Sequence, residues 1–399
     1  MNNNRRNLHI IIYSSFPRYS GGRENWLYNV LPYIAKEFNK VFIYVIKSSR
    51  PIYYDLEGIS NVQLKSVATL SSYGMLYMLV NRFLFQSLFF LDTIIIFRSK
   101  LRSMLIKEII HGDTILAMNS ISELLPAIDV KKIGINFRLI SSVRGLVPEE
   151  YGERIPILKH WFCKLEKECL TECDIVLANG YDTQDYLSKL GVRCFVIPNG
   201  VDIARFKNAN TNSEDLNGIQ KIKDSGTKII VMVATLRKIK GTDNLLEVAD
   251  RLLKKGQHNF IFIFVGKGNQ TFYKNKAKAL GIQDYVLFVG EQKNVPGYLA
   301  LADVVICISG GGGMSMSALE AMAAGKPIVA WDTPVYQQLI VNMQEGYLVK
   351  YPDLDELAEG INFVLENPEM AAMFAANAQQ KVNQYDWPNV SRKLLEKLV

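Results

Sequence analysis

A chain of 399 residues is roughly two to three times the length of an ordinary domain, which excludes a single small module. With 49% hydrophobic residues, 27 Gly and 13 Pro, the composition also excludes disorder and collagen-like repeats. The net charge of +7 permits an anionic partner, and it is unevenly placed: residues 1–200 hold 24 Lys and Arg against 18 Asp and Glu, residues 201–399 hold 22 against 21, and residues 1–110 alone hold 14 against 6.

Taken in chain order, the N-terminus MNNNRRNLHIIIYSSF lacks the apolar core and cleavage site of a signal peptide and reads as a polar lead into a strand, His9 to Ser14. The loop Ser20-Gly21-Gly22-Arg23-Glu24-Asn25 then opens a helix, and Val41 to Ile46 is a second strand. The aromatic run from Tyr73 to Phe97 is interrupted by Arg82 and Asp92, too early for the ~20 apolar residues of a membrane span. Two readings of it stay open, a buried helix or helix–strand junction and an interfacial helix beside basic residues. Further strands are expected at Thr114 to Met118 and Asp174 to Ala178. His160, Cys163, Cys169 and Cys173 scatter round a helix at their spacing, which argues against a zinc site, and five cysteines without disulfide-like spacing suit a reducing compartment. Pro198 and Asn199-Gly200 mark a break, with a hinge expected near residue 200. The strand–helix alternation then restarts, with strands at Lys228 to Val233, Phe260 to Val265, Tyr285 to Val289, Val304 to Ile308 and Pro327 to Ala330. This pattern predicts an α/β protein of two Rossmann-like, doubly wound domains facing a cleft.

The strongest chemical signal is Ser309-Gly-Gly-Gly-Gly313-Met314-Ser315, followed by a helix that contains Glu320. Glycines after a buried strand let backbone approach a ligand, and the helix start supplies free N–H groups to a phosphate. Ser315 and Ser317 are caps or phosphate donors, and Glu320 is an acceptor for a ribose diol. A second phosphate element, Arg237-Lys238-Ile239-Lys240-Gly241, follows the strand Lys228 to Val233, where its cations would neutralise a diphosphate. No G-x-G-x-x-G with a downstream acid follows the first strand, which disfavours a dinucleotide oxidoreductase, and the dispersed basic residues disfavour nucleic acid.

These motifs together resemble the GT-B glycosyltransferases, in particular the retaining family 4 that includes bacterial polysaccharide and lipopolysaccharide transferases. The resemblance spans essentially the whole chain. It rests on the Gly21-Gly22 loop, Ile197-Pro-Asn-Gly-Val-Asp202, the Arg237 to Gly241 loop, Phe264-Val-Gly266-Lys-Gly268, Leu301-Ala-Asp303, Gly313-Met-Ser315 with Glu320 to Pro327, and Tyr385-Asp-Trp387. It implies an acceptor domain over residues 1–200, joined by a C-terminal helix at about 385–399, and a nucleotide-sugar domain over residues 201–384. Position by position, it implies donor contacts from Gly21, Gly22, Arg237, Lys240, Gly266, Gly312, Gly313, Met314, Ser315 and Glu320, with Arg144, Arg237 and Lys240 as the catalytic cations. No metal and no cofactor beyond the nucleotide-sugar co-substrate are implied, a UDP-sugar before a GDP-sugar, and Asp353-Leu-Asp355 is expected to be a helix start. Two positions depart from the family: Gly312 stands where a second Glu is usual, and Arg144, in Val143-Arg144-Gly145, replaces a His.

The expected activity is transfer of a hexose or hexosamine, with retention, to a glycan or lipid-linked acceptor in cell-surface polysaccharide synthesis. The departures leave an alternative, a weakened homologue acting as a nucleotide-binding or partner subunit. A cytoplasmic protein is expected, peripheral on the inner face of the plasma membrane through an anionic surface met by residues 1–110.

Overall fold

Strands buried on both faces of a parallel sheet must be apolar throughout, and β1 (Leu8–Ile11) and β2 (Val41–Ile46) are buried at every position. The computed structural model describes residues 6–18, 21–73, 91–145, 158–310 and 312–399. Residues 74–90 of the Tyr73–Phe97 run lie outside it, as do Ser20 and Gly311. The chain divides into two units, Met1–Asn199 with Trp387–Val399, and Gly200–Asp386.

In the first unit β3 (Val62–Val67), β4 (Thr114–Ala117), β5 (Arg138–Val143), β6 (Ile175–Ala178) and β7 (Phe195–Val196) complete a parallel sheet of order β3-β2-β1-β4-β5-β6-β7. The second unit repeats the plan with β8 (Lys228–Val233), β9 (Phe260–Val265), β10 (Val286–Gly290), β11 (Val304–Cys307), β12 (Ile328–Trp331) and β13 (Tyr347–Val349), ordered β10-β9-β8-β11-β12-β13. The expected fold class, two doubly wound α/β sheets, is therefore what the structure shows. In each sheet the order reverses once, between β1 and β4 and between β8 and β11. At such a switch point the loops leaving the two strands diverge and open a crevice at their carboxyl ends.

Four strands lie where no apolar run announces them. β3 and β13 are edge strands, β3 being largely solvent-facing, and β7 is two residues long. β5 is central but polar: buried Ser141 Oγ donates to the Asn119 carbonyl at 3.1 Å, and Ser142 Oγ accepts from Arg144. Hydrogen bonds to neighbouring loops satisfy these hydroxyls and allow a serine pair inside a sheet.

The helix α1 (Gly22–Ile34) buries Trp26, Leu27, Val30, Leu31 and Ile34. It packs against a helix from the far end of the sequence, Trp387–Leu398, whose Trp387, Val390, Leu394 and Leu398 enter the same core. No helix among the described residues is long and apolar enough to cross a membrane. Leu394 is fully buried there, so Leu394→Ala should lower the stability of the first unit by about 2–5 kcal/mol, read as a downshifted transition in calorimetric unfolding.

Candidate active site

In the second unit, β8 runs into the loop Thr235 to Gly241. Its backbone stays in register with the chain beyond β9: Ala234 N donates to the Val265 carbonyl at 3.0 Å and Leu236 N to that of Lys267 at 2.8 Å. Gly266 makes this possible. A Cβ there would lie 1.9 Å from the Ala234 carbonyl oxygen, on a backbone with φ of +153°. The Gly266 amide is committed to the Gly290 carbonyl at 2.8 Å, so this glycine supports the loop by close packing.

The loop after β11 is tied to the cationic loop at two points. Gly310 N donates to the Ile239 carbonyl at 2.8 Å, and Lys240 Nζ donates to Ser309 Oγ at 3.1 Å. Gly241 permits the approach: with φ of +87°, a Cβ would lie 2.8 Å from the Ile308 carbonyl oxygen. Buried Tyr336 supports the loop from behind, its hydroxyl accepting from Ser309 N at 2.7 Å. Arg237 is exposed, and its guanidinium makes no hydrogen bond or ion pair among the described residues.

Gly312 is exposed, whereas Gly313 and Met314 are buried. The Gly313 carbonyl accepts from Gln338 Nε2 at 3.2 Å. The helix that follows, Met316–Ala323, is N-capped by Ser315, whose Oγ accepts from Ala318 N at 3.3 Å and lies 3.2 Å from Ser317 Oγ. Capping occupies one of the helix's free amides and leaves those of its first residues for an anion. Glu320, one turn on, is partly buried, and its carboxylate has no hydrogen bond or ion pair among the described residues. Burial pushes its carboxyl up to about 7, opposed by the charge of Arg205 on the short helix Ile203–Lys207.

In the first unit, Gly21, Gly22, Arg23, Glu24, Arg144, Asn179 and Asn199 line one cavity of about 270 Å³. The Arg144 guanidinium lies 3.5 Å over the ring of Trp26. It donates through Nε to Ser142 Oγ at 3.0 Å, and through its terminal nitrogens to Asn199 Oδ1 at 2.9 Å and the Ile197 carbonyl at 3.3 Å. All these partners are neutral. Burial lowers its pKa well below the usual value, yet a guanidinium remains charged near neutrality, so a cation whose hydrogen-bond partners are all neutral faces this cavity, with Glu24 also on its lining.

The structure thus assembles Arg237, Lys240, Gly313, Met314, Ser315 and Glu320 around one switch point, and Gly21, Gly22 and Arg144 around the other. It adds Ser309, Tyr336, Arg205, Glu24, Asn179 and Asn199, which the motifs alone did not assign. Asp353 caps the helix Leu354–Glu366 through the amides of Asp355 and Glu356, the helix start expected of it. All five cysteines are free thiols, and burial raises that of Cys169 to about 12.

Residues 215–381 match the family model of glycosyl transferases group 1. The chain is 32% identical over 172 residues to an uncharacterized glycosyltransferase of Haemophilus influenzae, covering 42% of this chain and 48% of that protein. It is 28% identical over 212 residues to the phosphatidyl-myo-inositol mannosyltransferase of Mycolicibacterium smegmatis, covering 52% of each. The chain spans about half the length of the curated relatives it matches. Among solved structures, Anabaena Alr3699/HepE in complex with UDP-glucose superposes with a TM-score of 0.74 at 20% identity, over 98% of this chain and 99% of that one. Sucrose-phosphate synthase from Thermosynechococcus elongatus superposes at 0.76 and 17% identity, over 98% of each chain. The fold is that of the GT-B glycosyltransferases.

The raised pKa of Glu320 has a definite sign. The folded chain holds this proton more tightly than the unfolded chain, so the cost of burying the carboxylate is full above pH 7 and vanishes as the pH falls toward the ordinary carboxyl value. Glu320→Gln should therefore stabilise the second unit by about 1–3 kcal/mol at pH 8 and by little at pH 5, measured by urea unfolding at both.

Proposed function

We propose that the chain is a retaining glycosyltransferase that moves a hexose or hexosamine from a nucleotide-diphosphate sugar, a UDP-sugar first, to a glycan or lipid-linked acceptor in cell-surface polysaccharide synthesis. The observation that carries the reading is the unpartnered, desolvated carboxylate of Glu320, on a helix whose open N-terminus follows a glycine loop bonded to Lys240. A diphosphate supplies an anion to the open helix amides beside Lys240, and a ribose diol supplies the donors the Glu320 carboxylate lacks. Catalysis then follows from charge. As the bond from the sugar to the diphosphate breaks, negative charge grows on the leaving oxygen, and Arg237 and Lys240 stabilise it more in the transition state than in the ground state. Arg144 is assigned as a third cation of the reaction. The leaving phosphate takes the proton of the attacking acceptor hydroxyl on the same face, which retains the anomeric configuration.

The match of residues 215–381 and the names of the relatives support this reading. We further propose that the protein works at the inner face of the plasma membrane, residues 1–110 meeting an anionic surface. Ile52, Tyr53, Ile95 and Ile110 are each more than half exposed within this basic stretch.

Glu320→Ala and Lys240→Ala should each weaken UDP binding by about tenfold or more in calorimetry, as expected for a lost charge-assisted contact, and unchanged affinity would sink the assignment. A panel of UDP- and GDP-sugars with acceptor extracts, scored by nucleotide release, separates an enzyme from a partner subunit. Release is expected, and silence with every donor would favour the subunit. Sedimentation with anionic but not neutral liposomes at low salt is expected of the membrane contact, and equal recovery with both would refute it.

A further inference from the structure

The short helix Ile203–Lys207 buries Ile203 and Phe206 and packs against Met316–Ala323, the helix that carries Glu320. Asp202 caps the short helix by accepting from Arg205 N at 2.9 Å, which fixes where the Arg205 side chain leaves the backbone. The guanidinium then donates to the Lys293 carbonyl at 3.0 Å, in the loop that follows β10. That partner is neutral, and Arg205 makes no ion pair among the described residues. We propose that Arg205 is a positioning residue of the donor site, whose charge keeps the Glu320 carboxylate ionised and ready for the hydroxyls of the nucleotide. This rests on the transferase reading above and adds a residue to its donor site.

Position and charge both single out Arg205. Met316–Ala323 carries one titratable group, Glu320, and a carboxylate taken out of water needs donors or a nearby cation to stay charged. The elements packed against that helix bring Arg205 and Lys207, Cys307 on β11, Glu369 and Lys381 on the helix Pro368–Lys381, and Tyr385. Of these, Arg205 is the charge that favours the ionised carboxylate. Lys381 is paired with Glu345 at 3.2 Å, and the Cys307 thiol, raised to about 12 by burial, is neutral.

The separation of the two groups matters as much as their charge. A guanidinium in direct contact would occupy the carboxylate oxygens and compete with a diol for them. Arg205 and Glu320 are too far apart for an ion pair, and the bond to the Lys293 carbonyl anchors the guanidinium in that place. The cation therefore lowers the cost of the carboxylate's charge and leaves its lone pairs for a ligand. Without that charge the carboxyl would keep its proton to a higher pH. A protonated carboxyl gives up acceptor capacity and adds a donor, so it is a poorer partner for two hydroxyls.

The test is a pH profile. UDP-glucose, whose diphosphate carries no group titrating near neutrality, is titrated calorimetrically into the full chain from pH 6 to pH 8.5. Affinity should rise through about pH 7 in the wild type. In Arg205→Gln the rise should move up by about one pH unit, a loss of roughly fivefold at pH 7 and of less than about twofold at pH 8.5. Arg205→Lys, which keeps the charge, should restore the wild-type profile, and Glu320→Gln should flatten it in either background. Without nucleotide, Arg205→Gln should lower the midpoint of urea unfolding more at pH 8 than at pH 5, and that pH-dependent part should vanish when Glu320→Gln is added. An unmoved profile, an affinity loss of equal size at pH 7 and pH 8.5, or a destabilisation independent of pH would overturn the proposal. If the wild type binds no nucleotide while the unfolding difference holds, the donor reading falls and the coupling of Arg205 to Glu320 stands.

Discussion

Everything chemical in this protein depends on one property of parallel sheets. All strands end on the same edge, and where the strand order reverses, the two loops on that edge diverge. Each unit has one such point, between β1 and β4 and between β8 and β11. Gly21 and Gly22 lie at the first point, and Arg237, Lys240, Gly241, Gly310 and Gly313 at the second. In the second unit the two loops are also bonded to one another, Gly310 to Ile239 and Lys240 to Ser309, which ties a cationic loop to a glycine loop. A side chain at Gly241 would drive them apart.

The two units use this geometry with different balances of charge. In the second, a cationic loop bonded to the glycine loop precedes a helix with open amides and one desolvated carboxylate, Glu320, a set suited to a diphosphate with a diol attached. In the first, Arg144 is held over Trp26 by neutral partners only, and the carboxylate of buried Glu24 has no hydrogen bond or ion pair among the described residues. Both line one cavity, where a ligand carrying anionic oxygens and hydroxyl donors would match the two.

Much of the fold was legible because burial on two faces demands apolar runs, and β1, β2, β8, β9 and β11 are such runs. The strands that escaped are those where that demand lapses: β3 and β13 at sheet edges, β7 by its length, and β5 because Ser141 and Ser142 find partners in adjacent loops. The donor-side motifs were legible because phosphate chemistry needs glycine, cations and a helix start close together in sequence. Glu24, Asn179, Asn199 and Arg205 were not assigned, because their surroundings are built by residues distant in the chain. Gly266 illustrates the converse, a motif glycine whose amide is spent within the sheet and whose missing side chain is explained by the Ala234 carbonyl.

The central claim is that a nucleotide ribose seats on Glu320. The most direct test is proton exchange on binding: UDP is titrated calorimetrically into the full chain at pH 7 in buffers of different ionisation enthalpy. Hydroxyls donating to the carboxylate favour its charged form, so a group poised at about 7 must lose its proton as the nucleotide binds. The account predicts release of a substantial fraction of one proton, abolished in Glu320→Gln. Binding with no proton release, or release that persists in that variant, would contradict it.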